Sequence, residues 1–328
     1  DFAATKGVAA KVLGERSGID LRDVADQDNR IPLARYRALM QAAKELSRDP
    51  AFALHFGEAV DLSEMSVVGL IGRSAQTMLE AFVQLNRYGG LVVDVDLGSS
   101  DRFQLTPDHG GLWFVDTRRN PNDFPELTES TMARVTSGCL RMILDSGWTG
   151  ERPSVKAAHF THADPGYRSE YERIFGAHVV FETGRNAILV DATWSARKLA
   201  PQPRYVFGVL SRHADALLAG LESSKTMRGQ VESLLLPILH TGDIGKDAIA
   251  DRLGMSGDTL LRRLKAEGTT FEAVLDELRH KMALHYLDGK KASVNEAAYL
   301  VGFSEAAAFS RAFKRWTGTS PRKRPQSA

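Results

Sequence analysis

In its last quarter the chain twice repeats one short pattern: an apolar helical stripe, a glycine, a serine, and a second amphipathic stretch. The first copy spans Lys246 to Glu267. Ala248, Ile249 and Leu253 supply the inner face of a short helix, and Gly254 gives a backbone free to turn sharply. Ser256 is placed to cap the next helix, where Leu260, Leu261 and Leu264 point one way and Asp258, Thr259, Arg262 and Lys265 the other. The second copy spans Ser293 to Trp316. Val294, Ala297, Ala298 and Val301 form its first inner face, Gly302 its turn and Ser304 its cap. In the helix that follows, Phe309, Ala312, Phe313 and Trp316 face inward, leaving Ala307, Ala308, Arg311, Lys314 and Arg315 outside. Between the copies, Phe271, Val274, Leu275, Leu278, Met282 and Leu287 recur at helical spacing, so one continuous linker helix is predicted. A sharp turn between two short helices, with one polar face left open, is the helix-turn-helix pattern.

A basic balance would suit such a face if it were concentrated there. Residues 241–328 hold 15 Lys and Arg against 11 Asp and Glu, whereas the preceding 240 residues hold 27 against 30. The phosphate-binding surface is therefore expected in the C-terminal part, although an excess of this size equally suits a solvated helical face.

The chain ahead of Pro201 and Pro203 reads differently. Helices are expected from about Pro32 to Ser47, from Ser74 to Arg87 with Gly89-Gly90 as the stop, and from Thr128 to Asp145. Short β-rich runs at Leu91 to Leu97, Phe103 to Leu105 and Leu112 to Val115 suggest a small meander, with turns at Gly98-Ser99-Ser100 and Gly110-Gly111. Val155 to Phe160 reads as a strand, and Val179 to Phe181 with Ala187 to Val190 as a hairpin across Gly184. The expected class is an α+β N-terminal domain followed by an all-α domain with two helix-turn-helix units joined by a linker helix. The expected limits are 1–200, a linker or dimerisation helix at 201–225, and 226–328.

Gly302-Phe303-Ser304, the run Phe309 to Trp316, and then Gly318 and Ser320-Pro321 resemble the signature of the AraC/XylS regulator family over roughly residues 230–325. Pro32 to Gly57 and Tyr171 to Phe181 resemble the arabinose-binding-type effector domain of one branch of that family. The resemblance implies two recognition helices in adjacent major-groove segments of duplex DNA. Matched motif to motif, the base-edge candidates are Asp258, Thr259 and Arg262 in the first unit, and Glu305, Ala306, Ala307 and Arg311 in the second. Ser256, Lys265, Ser304, Lys314 and Arg315 complete the expected DNA-binding set. Arg262 and Arg311 can each bond guanine O6 and N7 in parallel, or touch phosphate alone. Where many relatives carry polar amides this chain has Ala306 and Ala307, so the second segment would be read by Arg311 and by DNA shape. Arg322, Lys323 and Arg324 read as phosphate contacts or as a frayed tail.

The implied partners are operator or promoter DNA, a small-molecule effector of unassigned chemistry, RNA polymerase and a second copy of the chain. For self-association the candidate is the helical stretch Tyr205 to Leu221, through Phe207, Leu210, Ala214, Leu217, Leu218 and Leu221; packing between domains suits the same stripe. No cofactor or metal is expected. Gly242 to Asp247 fails as a phosphate loop, because His240 stands where the first glycine is needed and Asp247 where a magnesium-binding hydroxyl should be. His159 and His162 lack a third ligand. Cys139, the single cysteine, is expected to be packed, and no nucleophile elbow occurs, which argues against an enzyme. Arg102, Trp113 and His159 are polar members of strands near which an effector could sit, or ordinary core positions. Asp1 to Ala10 lack the elements of a secretory signal, and no apolar run approaches the roughly 18 residues of a membrane span, so a cytoplasmic regulator is expected. An adaptor that binds protein through its helix-turn-helix units is the remaining alternative.

Overall fold

A computed structural model describes residues 2–22, 24, 29–97, 101–109, 111–149, 155–199, 203–242, 244–287 and 292–321. By its internal packing the chain divides into two compact units, 1–218 and 219–328. The division falls inside one helix.

The first unit opens with helices α1 (Phe2–Thr5), α2 (Ala10–Ser17), α3 (Leu33–Ser47), α4 (Phe52–Ala59), α5 (Val67–Arg73) and α6 (Met78–Val92). Thr77 starts α6 by accepting from the Glu80 N–H at 3.1 Å. The helix does not stop at Gly89-Gly90 as expected. Both glycines keep helical backbone, Gly89 accepting the N–H of Val93. The stretch expected as a strand at Leu91 to Leu97 is therefore helix end and loop, with one isolated bridge from Leu97 to Arg118. Strands β1 (Phe103–Asp108) and β2 (Gly111–Asp116) pair antiparallel as expected. Gly98, Ser99, Ser100 and Gly110 of the expected turns lie outside the described residues.

Helix α7 (Pro125–Asp145) begins at a proline, whose missing N–H costs nothing in a first turn. Strand β3 (Ala157–His159), helix α8 (Arg168–Phe175), strands β4 (His178–Val180) and β5 (Asn186–Asp191) complete a sheet of order β1-β2-β5-β3-β4. The expected hairpin of β4 with β5 does not form. β3 pairs with β4 in parallel and with β5 antiparallel, and so separates them. Parallel strands need a crossover, and α8 supplies it. Phe160, Tyr171, Val179 and Ile188 bury themselves beneath the sheet with Leu54 of α4 and Met132 of α7.

Helix α9 (Arg204–Lys225) follows Pro203. Its stripe of Phe207, Leu210, Ala214 and Leu218 packs on Val68, Ile71 and Tyr88 of the first unit. That part of the stripe proposed for self-association is thus satisfied internally.

Among the described residues the second unit holds helices and no strand: α10 (Met227–Leu235), α11 (Lys246–Arg252), α12 (Gly257–Ala266), α13 (Phe271–Leu287), α14 (Val294–Leu300) and α15 (Ala306–Thr317). Val231, Leu235, Leu260, Leu264, Val274, Ala297, Phe309 and Phe313 meet in one core. No helix among the described residues is long and apolar enough to cross a membrane.

Candidate nucleic-acid interface

The first short helix, α11, buries Ile249 and Ala250, while Ala248, expected on its inner face, is exposed. Gly254 then turns the chain at φ 66°. The Ser256 hydroxyl accepts from the Thr259 N–H at 3.3 Å and lies 3.0 Å from the Thr259 hydroxyl, so the predicted cap holds and occupies the Thr259 side chain as well. Leu260 and Leu264 are fully buried. Asp258, Arg262 and Lys265 are exposed together, with Arg263 beside them and Thr259 half-buried. Behind α12, the Glu267 carboxylate accepts the N–H groups of Met227 and Arg228 at 2.7 and 3.0 Å, which fastens the end of α12 to the start of α10.

The second unit repeats this with tighter closure. Ser293 and Glu296 form a reciprocal capping box at the start of α14, a Ser-x-x-Glu signal present in the sequence and not used in the reading above. Gly302 turns at φ 81°, and a Cβ there would stand 2.2 Å from the Leu239 carbonyl oxygen. Ser304 does not cap α15: the cap position falls at Glu305, which makes no side-chain cap hydrogen bond. The reason is one of register, because the helix begins one residue later than a serine cap requires. Ser304 and Glu305 are exposed, Ala306 is half-buried and Ala307 is exposed. Arg311 and Lys314 are exposed on the same side, whereas Arg315 donates to both oxygens of Asp276 on α13, at 2.8 and 2.9 Å.

α13 joins the two helix-turn-helix copies as one helix of 17 residues, about 25 Å long. Its Arg279 donates to the Val301 carbonyl at 3.1 Å and lies over the Phe303 ring, and its His280 stacks on Trp316. The linker thereby grips the second turn and the C-terminal end of α15. Arg322, Lys323 and Arg324 lie outside the described residues.

In the first unit, a cavity of about 640 Å³ opens between α5, α6, α7 and the sheet. Arg102 lines it. Trp113 and His159 do not; their rings contact each other at 4.6 Å, with Arg185 4.0 Å above Trp113. His162 turns instead toward the Tyr171 hydroxyl, 3.2 Å away. Cys139 also lines the cavity, and burial pushes its thiol up to about 12, which keeps it protonated and poorly nucleophilic.

Residues 7–199 match the family model for the arabinose-binding domain of AraC transcription regulators, N-terminal, and residues 249–324 match a helix-turn-helix domain model. The chain is 25% identical to the Ornithine utilization regulator of Pseudomonas aeruginosa over 324 residues, covering 98% of this chain and 92% of that protein. It is likewise 25% identical to the HTH-type transcriptional regulator VirS of Mycobacterium tuberculosis over 305 residues, covering 90% and 85%. Among solved structures, the transcriptional regulator CdpR of Pseudomonas aeruginosa aligns with a TM-score of 0.41 at 21% identity, over 98% of this chain and 97% of that one.

Proposed function

The chain belongs to the AraC family of transcription regulators, and we propose that α12 and α15 enter successive major-groove segments of duplex DNA under the control of a small molecule held by the front domain. It is a DNA-binding regulator with an arabinose-binding-type N-terminal domain, and its relatives are regulators, not enzymes. The observation that carries the detailed reading is the pair of exposed polar faces, Asp258 with Arg262 and Lys265, and Ala307 with Arg311 and Lys314, fixed to one 17-residue helix. A rigid linker suits two grooves that recur at roughly 34 Å along one side of a duplex.

In this reading Arg262 and Arg311 bond guanine edges, each contributing about 1–3 kcal/mol of discrimination. Asp258, Thr259 and Glu305 stand at base edges, while Ala306 and Ala307 admit a thymine methyl. Ser256, Lys265, Ser304 and Lys314 lie along phosphates. Arg315 is better suited to setting the angle of α15, given its bond to Asp276. Residues 1–200 would form the effector domain, 201–225 the connecting helix and 226–328 the DNA-binding domain. The cavity of about 640 Å³ supports an effector, since sites for small metabolites span about 300–1,000 Å³. Exposed Tyr205, Val206 and Val209 on α9 support self-association, and contact with RNA polymerase in the cytoplasm accompanies the regulatory role.

Selection of duplexes from a random pool tests the reading. A bound site with two preferred segments about one helical turn apart supports it. Binding that ignores sequence and is lost with salt removes base readout.

A further inference from the structure

The front cavity has chemically different ends. Helix α7 forms one wall through Thr131, Arg134, Val135, Gly138, Cys139 and Met142, a helical stripe about 16 Å long from Thr131 to Met142. The polar side chains that α7 itself gives the stripe, Thr131 and Arg134, stand at its N-terminal end, while at the far end the lining pair Arg73 and Asp61 is tied to α7 through Asp145 and Arg141. Past Arg134 the stripe is apolar or small, and Val68, Phe82, Leu85 and Phe114 line the cavity with it.

At the polar end the lining holds two guanidinium groups, those of Arg102 and Arg134. Arg102 donates to the Thr131 hydroxyl at 3.2 Å and faces Asp116 at 3.6 Å, while its Nε has no hydrogen-bond partner among the described residues. Asp116 also accepts the backbone N–H of Arg118, whose guanidinium lies off the cavity and donates to the Pro121 and Phe124 carbonyls and the Thr128 hydroxyl. Arg134 is paired with no carboxylate among the described residues. Its Nε and Nη2 each expose less than 1 Å² and have no hydrogen-bond partner, and the Phe56 ring lies 5.1 Å from its guanidinium. Burial pushes Arg134 below the usual guanidinium range; the charge of Tyr36 and a hydrogen bond to that side chain oppose this, and Arg102 and Arg141 add to it. The lining also carries Arg30, Arg73 and the carboxylates of Asp61 and Asp94. Arg73 is bonded to Asp61 at 2.9 Å, and Arg30 donates to the Gly90 carbonyl.

A largely enclosed cation without a carboxylate is costly, and the group that removes the cost is an anion with lone pairs for the Nε and Nη2 hydrogens. The apolar stretch of about 12 Å along α7 from Arg134 to Met142 rewards a hydrophobic body. We propose that this cavity binds an amphipathic monoanion, a carboxylate on an alkyl or aryl body, with its head between Arg102 and Arg134 beside Thr131 and its apolar part along α7 toward Met142. The proposal rests on the effector reading above and narrows it to one ligand class.

The test uses the full chain and three probes of equal length, decanoate, 1-decanol and decylamine, titrated by calorimetry below their aggregation concentrations. Decanoate is expected to bind about ten-fold or more tighter than either neutral or cationic probe. Arg134→Met should lower decanoate affinity by about ten-fold or more and leave decanol within about two-fold, while Arg134→Lys retains part of the preference. The comparison in the unaltered protein stands even if a variant fails to fold. Decanol or decylamine matching decanoate, no binding by any probe, or decanoate affinity unchanged in a folded Arg134→Met would overturn the proposal. DNA titration with saturating decanoate separates the two readings. A neutral probe that binds and alters DNA affinity removes the anion and keeps the effector, whereas decanoate that binds without altering it keeps the anion and removes its regulatory role.

Discussion

Arg315 on the second recognition helix holds Asp276 on the linker helix through both carboxylate oxygens, at 2.8 and 2.9 Å, and the neighbouring Trp316 Nε1 donates to the same carboxylate at 2.8 Å. One acid thus sets the angle of α15 against α13. The cation it uses is drawn from the basic cluster that the sequence offers to DNA.

Arg315→Ala should therefore behave unlike Arg311→Ala. Arg315 and Asp276 are largely exposed, so their pair contributes under about 1 kcal/mol of stability, and its loss should weaken all duplexes evenly. Asp276→Ala should cost more, about 1–2 kcal/mol, because the half-buried Trp316 donor also loses its acceptor. Chemical denaturation and titration of matched and altered duplexes check both. Base-specific relaxation in Arg315→Ala would contradict the assignment.

The two turn glycines should differ in cost. Both have positive φ, but a Cβ at Gly254 meets nothing within 4 Å, whereas one at Gly302 would overlap the Leu239 carbonyl oxygen. Gly254→Ala should cost about 1–2 kcal/mol from backbone strain alone, and Gly302→Ala clearly more. Hydrogen exchange across residues 246–317 measures this. Equal loss of protection in both variants would count against the close packing at Gly302.

Arg134→Met should stabilise the unliganded protein. Replacing a cation that has no carboxylate partner by an apolar chain of similar length removes its desolvation cost, which outweighs the lost Tyr36 and Phe56 contacts and gives a gain of about 1–2 kcal/mol and a rise of a few degrees in Tm. A lowered Tm would mean that Arg134 is a structural group.

Glu129 makes stability depend on pH. Burial raises its carboxyl above the ordinary value, although the Tyr171 and Tyr167 hydroxyls donate to Oε1 at 2.5 and 2.8 Å. The folded state then binds more protons than the unfolded one. This contribution is full below the ordinary carboxylate range and is lost as pH rises through the folded value. Urea midpoints of the unaltered protein should fall relative to Glu129→Gln as pH is raised from about 5 to 8. Parallel curves would contradict the raised carboxyl.

Much of the C-terminal domain was legible because its determinants are local. The spacing of Leu260 and Leu264 gave α12, that of Phe309 and Phe313 gave α15, and the linker helix followed from one stripe beginning at Phe271. What depended on distant partners was missed. Insertion of β3 between β4 and β5 is a matter of pairing across the sheet, and no residue near Gly184 reports it. The bond of Asp276 to Arg315 joins residues 39 apart. Arg134 looks in sequence like a solvated position on α7, and only Phe56 and Tyr36, distant in the chain, close over its guanidinium.

Two arginines reading two separate segments of one DNA site is the central claim. It is tested most directly by titrating a selected duplex, and copies altered in one segment at a time, with the unaltered protein, Arg262→Ala and Arg311→Ala at two salt concentrations. The account predicts that each substitution weakens the preference in its own segment by about 1–3 kcal/mol and leaves the other segment as discriminating as before. Loss of affinity that is uniform across all duplexes, with a shallower salt dependence, would show both arginines on phosphate and contradict the claim.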